Sequence, residues 1–129
     1  MPQFEKYPAH AVNTYTAEGA ITQGMALVEG TADGQAKAPG AADAGSFVGF
    51  AMHAAASGEQ VQVAGPGGCY ARAISDGTVT RGAQCAIAGT TGKLKAVTTA
   101  DTYVVAQACT AGAVDGDTVW VLVLNVNNT

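Results

Sequence analysis

The segment EGAITQGMALVEG at residues 18–30 returns, little changed in pattern, as DGTVTRGAQCAIAG at residues 76–89. Gly19 and Gly77 stand 77 − 19 = 58 positions apart, and the same offset relates Thr22 to Thr80, Gly24 to Gly82, Gly34 to Gly92 and Lys37 to Lys95. It continues without a gap through Ala42-Asp43 and Ala100-Asp101, Gly58 and Gly116, and Val61 and Val63 with Val119 and Val121. Self-similarity at a fixed period means one structural unit built twice, each copy completing the other's core. The chain is therefore expected to hold two pseudo-repeats, about 18–75 and 76–129, within one domain.

Each repeat has the composition of short strands separated by turns. Gly24 and Gly82 interrupt their segments where a turn or bulge is needed, TADGQ and GTTGKLKAV carry hairpin-type turns, and Gly58 and Gly116 open strands. This predicts an all-β fold, a compact β-barrel or β-sandwich. EQVQV alternates, so one of its faces meets the core and the other solvent. TVWVLVLNV is apolar on both faces: Val119, Val121 and Val123 point one way, Trp120, Leu122 and Leu124 the other. Such a strand lies between two packed layers or has one face covered by another subunit, which makes Trp120 a core filler or an interface anchor. FVGFAMHAAASG is expected to be a strand over 47–52 followed by one helical turn through HAAAS.

Residues 1–17, MPQFEKYPAHAVNTYTA, an expected extended N-terminal arm, fall outside the repeats and carry two prolines and the aromatics Phe4, Tyr7 and Tyr15.

With 129 residues, 6% aromatic and 12% charged, the chain is long enough for a core but short of large side chains to fill it. Burial against copies of itself or against a partner would offset this, and would suit a mean hydropathy of +0.17. The net charge is −4 and the six cations are scattered, which argues against a nucleic-acid partner. No stretch approaches the roughly 20 apolar residues of a membrane span, and the protein is expected to be made in the cytoplasm without membrane association. Cys69, Cys85 and Cys109 lack metal-site or redox spacing and are expected to be buried thiols, although one disulfide stays open.

Catalytic chemistry finds no purchase in the sequence. His10 and His53 stand in unrelated contexts with no nucleophile motif beside them, and the acids fall in Asp-Gly turns. The DGD of residues 115–117 lacks the oxygen series of a calcium loop, and GPGG at 65–68 lacks a phosphate-binding lysine. Lys93 and Lys95 lack the sequence contexts of biotinylated or lipoylated lysines. No catalytic residue, cofactor or metal is expected.

The order of the Gly19/Gly24 opening, FVG at 47–49, SGEQVQV at 57–63 and the second opening at Gly77/Gly82 resembles a family of small bacteriophage capsid cement, or head decoration, proteins. The resemblance covers most of residues 17–124. It implies a non-catalytic β domain that assembles as a homotrimer on the outer face of an icosahedral head and clamps neighbouring major capsid protein subunits at three-fold and quasi-three-fold sites. Under it, Phe4, Tyr7, Tyr15 and Trp120 are the expected capsid or subunit contacts. The alternative is a doubled β module that binds a carbohydrate or a host-surface ligand, which would expose several aromatics on one face.

Overall fold

The computed structural model describes residues 12–40, 46–67, 69–99, 101 and 103–127. The expectations placed on Phe4, Tyr7, His10, Ala42-Asp43 and Ala100 lie outside the described residues. Ten strands follow in order: β1 (Val12–Ala17), β2 (Ala26–Glu29), β3 (Gln35–Lys37), β4 (Phe47–Ala51), β5 (Gln60–Ala64), β6 (Tyr70–Ile74), β7 (Gln84–Ala88), β8 (Lys93–Ala96), β9 (Tyr103–Ala108) and β10 (Thr118–Asn127). The first five close into a barrel of order β1-β3-β2-β4-β5, and the second five form a sheet of order β6-β10-β9-β7-β8. That sheet is the same barrel less tightly closed. Parallel pairing of Ala17 with Ala36 joins β1 to β3, and the equivalent Ser75–Leu94 bridge is all that links β6 to β8.

The duplication is visible bond by bond. The antiparallel pairing of β1 with β5, from Val12–Ala64 to Thr16–Gln60, recurs between β6 and β10 from Tyr70–Leu122 to Ile74–Thr118. The glycine pairs share backbone angles, with φ of +93° and +92° at Gly19 and Gly77, and +77° at both Gly34 and Gly92. Because β1 is the counterpart of β6, the repeat begins at residue 12. The stretch 12–17, grouped by sequence with the arm, is a barrel strand.

Two details differ from the sequence reading. Leu27 pairs with Gly49 but Cys85 with Ala106, so β4 and β9 correspond at 106 − 49 = 57 residues rather than 58. One residue is lost between β8 and β9 and regained before β10, where Gly112–Gly116 replaces Ala55–Gly58. The helical turn expected through HAAAS is absent as well. Ala55 exchanges two backbone hydrogen bonds with Ile21, of 2.8 and 2.9 Å, and those groups are then unavailable to a helix.

Small apolar side chains fill both units. Leu27, Val61 and Val63 are buried in the first, with Ile21, Ala17 and Ala36 around them. Leu94, Val105, Val119, Val121 and Val123 fill the second, and Ala26, Phe47, Phe50 and Ala64 of the first half belong to that same cluster. The two halves thus share one core at their seam. There the Ala26 N–H donates to the Gly92 carbonyl at 2.9 Å, and Met25 lies where a Cβ on Gly92 would be.

Gly49 marks the tightest approach. Its φ is +146°, and a Cβ there would run into the Ala64 carbonyl oxygen of the neighbouring strand. The turn carboxylates do local work. Glu18 accepts from the Thr31 N–H at 2.6 Å and the Thr31 hydroxyl at 2.8 Å, and those two bonds hold its carboxyl below the ordinary value. Burial pushes the Asp101 carboxyl up, but the Thr98 N–H at 2.8 Å, Lys95 and the Thr98 hydroxyl together bring it below the ordinary range. All three cysteines are free thiols; Cys69 and Cys85 are buried, and Cys109 is half-buried. Burial pushes the Cys85 thiol up to about 11, against the lowering effect of the Ala108 N–H.

Four outcomes follow. Gly49→Ala should destabilise the protein by about 2–4 kcal/mol, through backbone strain plus overpacking. Gly58→Ala, with a φ of +88° and open space for its Cβ, should cost only about 1–2 kcal/mol in the same urea titration. In native protein Ellman's reagent should modify Cys109 first and reach Cys85 only on unfolding, since the buried neutral thiol is a poor nucleophile. Glu18 and Asp101 have depressed folded values, so what they add to stability is complete above their ordinary values of 4.5 and 3.8 and disappears as pH falls through the folded ones. Urea midpoints should therefore decline below about pH 4, and the decline should be shallower in Glu18→Gln and Asp101→Asn.

Candidate docking surface

Among the described residues, β6 and β10 present the face with the most exposed aromatic surface. In β6 the inward Ala71 and Ala73 alternate with the outward Tyr70 and Arg72. In β10 Val119, Val121 and Val123 are buried, while Trp120 remains 46% exposed and Leu122 and Leu124 are half-buried. Among the described residues no second layer covers that outward face. Of the two readings of the strand, the one that sandwiches it between two packed layers is therefore not realised. Trp120 is not a core filler.

The pairing register fixes who meets whom. Tyr70 lies opposite Leu122 and Arg72 opposite Trp120, and the Arg72 guanidinium stacks 5.5 Å from the Trp120 ring centroid. At an exposed site such a stack contributes about 0.5–1 kcal/mol. Arg72 makes no ion pair with a carboxylate among the described residues.

Met52 and Gln23 close the patch from the first half of the chain. Met52 is 44% exposed, and the Gln23 side-chain amide donates to its carbonyl at 3.4 Å. With Ala64, Tyr70, Arg72 and Trp120 they line an open cleft of about 190 Å³ at the seam between the halves. That is below the roughly 300–1,000 Å³ of a small-molecule site. Trp, Tyr, Arg and Met are the residue types enriched at protein–protein contacts, and this is what the surface is built from.

The duplicated frame supplies its own control. The first-half positions equivalent to Tyr70, Arg72 and Trp120 are Val12, Thr14 and Gln62, and Met52 corresponds to Cys109. The same backbone therefore stands without the aromatic cluster.

The remaining sequence candidates are placed as follows. Tyr15 is half-buried opposite Val61 and packs on the first-half core, away from Trp120. It borders a second hollow with Glu29 and the β2–β3 turn, about 180 Å³ in volume. His53 has both ring nitrogens on the backbone: Nε2 accepts from the Gln62 N–H at 3.2 Å and Nδ1 lies 3.0 Å from the Ala54 carbonyl. Lys93 and Lys95 lie in β8 rather than at a hairpin tip, and are paired with Asp115 and Asp101 at 2.9 and 3.0 Å. Tyr70, Arg72, Met52 and Gln23 were not singled out by sequence. They come from positions up to about 50 residues apart that only the seam brings together, and the i, i+2 spacing of Tyr70 and Arg72 is the one local hint.

No family model matches the chain, and no curated protein matches it. The cement family that the sequence resembles thus receives no support from those comparisons. Among solved structures the chain is similar to the N base of head fiber gp8.5 of bacteriophage phi29. The TM-score is 0.66 at 16% identity, over 92% of this chain and 97% of that one. At that identity the likeness is one of fold, and it extends along nearly the whole length of both chains.

Proposed function

We propose that this chain is a structural protein of a bacteriophage head. The observation that carries the reading is the shared fold over 92% of the chain with a phage head fiber base, which agrees with the independent resemblance to phage cement proteins. In the finer form of the proposal, the protein sits on the outer surface of the virion and stabilises the expanded shell by bridging major capsid protein subunits. It does so as a homotrimer at three-fold and quasi-three-fold positions. Three equivalent weak contacts on a three-fold site reinforce one another, and a ligand that binds only the assembled state stabilises it. The exposed Trp120 and the aromatics Phe4, Tyr7 and Tyr15 are the contact residues in this scheme. Catalysis and cofactors have no part in it.

The carbohydrate or host-surface alternative keeps one observation in its favour, the side-by-side exposure of Tyr70 and Trp120. A glycan array probed with the free protein separates the two: strong, selective binding there would favour the alternative.

The decisive experiment is co-sedimentation of the purified protein with expanded and unexpanded heads, alongside its mass in solution. Binding to expanded heads alone, by a trimer, is the expected result. Trp120→Asp should lower head binding or trimer mass by at least about tenfold in affinity while leaving the circular dichroism unchanged, because the ring is not part of the core. A fully trimeric, fully binding Trp120→Asp protein would count against the assignment.

A further inference from the structure

We propose that His53 is a pH-operated clasp on one wall of the seam cleft: its neutral ring holds the end of β4, and with it Met52, against β5, and protonation releases them. The inference concerns the free protein and stands whether or not the chain belongs to a phage head.

The β4–β5 ladder gives the starting point. β4 ends at Ala51, which pairs with Val63, and one further bond runs from the Met52 N–H to the Gln62 carbonyl at 2.9 Å. The N–H and carbonyl of a strand residue lie on the same side, so the Gln62 N–H also faces the β4 end. There the His53 ring takes the place of a backbone carbonyl, with Nε2 accepting at 3.2 Å. Nδ1 then carries the proton and donates to the Ala54 carbonyl at 3.0 Å. Only the neutral, Nδ1-protonated ring satisfies both contacts. In the imidazolium both nitrogens are donors, and an Nε2–H would confront the Gln62 N–H with no acceptor between them. Imidazole is the side chain that makes this change between about pH 5 and 8.

The duplication supplies the control. At the same place in the second half, the Cys109 N–H donates to the Trp120 carbonyl at 2.7 Å and the Trp120 N–H to the Thr110 hydroxyl at 3.0 Å. Both copies close this rung with a side-chain acceptor, but the hydroxyl of Thr110 keeps its accepting lone pairs at any pH and the ring of His53 does not.

Few other charged groups stand around the ring. β1, β4 and β5 carry no Asp, Glu, Lys or Arg, and Tyr15 of β1 packs on the first-half core. Glu29 of β2 is paired with Ala36 at the far end of its strand, and Glu59 accepts from the Ala56 N–H at 2.8 Å. Tyr70 and Arg72 line the cleft with Met52. Among the described residues no carboxylate forms an ion pair with the ring.

What the clasp holds is one side of the cleft. Met52 lines it together with Trp120, and the Met52 carbonyl accepts from the Gln23 side chain at 3.4 Å. Release of His53 frees these two residues, while Tyr70, Arg72 and Trp120 stay in the register of β6 and β10.

Hydrogen exchange read by NMR on the intact chain tests this. From about pH 8 to about pH 5 the protection factor of the Gln62 amide should fall about fivefold, through loss of one hydrogen bond, while that of the Trp120 amide holds. Nitrogen-15 shifts of the His53 ring should show the Nδ1-protonated tautomer at the upper pH, and the Met52 methyl resonance should move as the ring titrates. His53→Thr, which copies Thr110, should keep Gln62 protected and the Met52 methyl in place throughout, although His10 is still present. His53→Ala should leave the Gln62 amide poorly protected at every pH. Protection of Gln62 that ignores pH in the native chain would overturn the inference. So would the same pH response in His53→Thr, or a neutral ring that carries its proton on Nε2.

Discussion

The edge-to-face pair of Phe47 and Phe50, 5.3 Å between ring centroids, is the contact on which the rest of the molecule depends. Both rings are in β4 of the first half, yet they pack in the cluster that fills the second. Elsewhere the interior is Ala, Val and a few Leu, which bury little area per residue. A barrel filled that way has a small margin over the entropy of ordering its chain. The two phenylalanines place the largest single apolar payload where it stabilises both units at once, and this makes two marginal barrels one domain.

The seam also explains why a duplicated chain is not symmetric. Backbone bonds, turn glycines and inward positions recur in both halves because they are set by barrel closure. At the seam each half meets a different neighbour, so Phe50 is matched by Gln107 and Trp120 by Gln62. Inward positions are held by packing and change little. Outward positions carry no such constraint, and there the second half has acquired an aromatic and cationic surface that the first lacks.

What was legible in the sequence was what the backbone dictates. The glycine pairs at 19/77, 24/82, 34/92 and 58/116 adopt nearly equal positive φ values, so residue identity alone betrayed the repeat. The class, the turn positions and the alternation in EQVQV could be read for the same reason. β1 escaped because VNTYTA shares no side chains with its counterpart YARAI and lacks that strand's in–out alternation, and a strand recognised only by its partner looks like a tail. The one-residue shift at β9 was invisible among alanines and glycines, where sliding by one position changes few identities. HAAAS misled because helix propensity is a local quantity, whereas the Ala55–Ile21 hydrogen bonds are made across the barrel. The cleft could not be read at all, being assembled from β4, β6 and β10 across the seam.

The candidate docking surface on β6 and β10 stands on firmly held backbone. β10 pairs on both sides, with β6 from Thr118 to Leu122 and with β9 over most of its length, and its inward valines are fully buried. The cross-strand Arg72–Trp120 stack is therefore built on backbone that cannot slide without turning Val119, Val121 and Val123 out of the core. A register slip of one residue would expose three valines and bury Trp120 and Leu122 in a space shaped for smaller side chains. The core thus protects the orientation of the surface aromatics, and an aromatic held in place loses less entropy on binding than a mobile one. Pre-organisation of this kind comes from the pairing register and the buried valines alone.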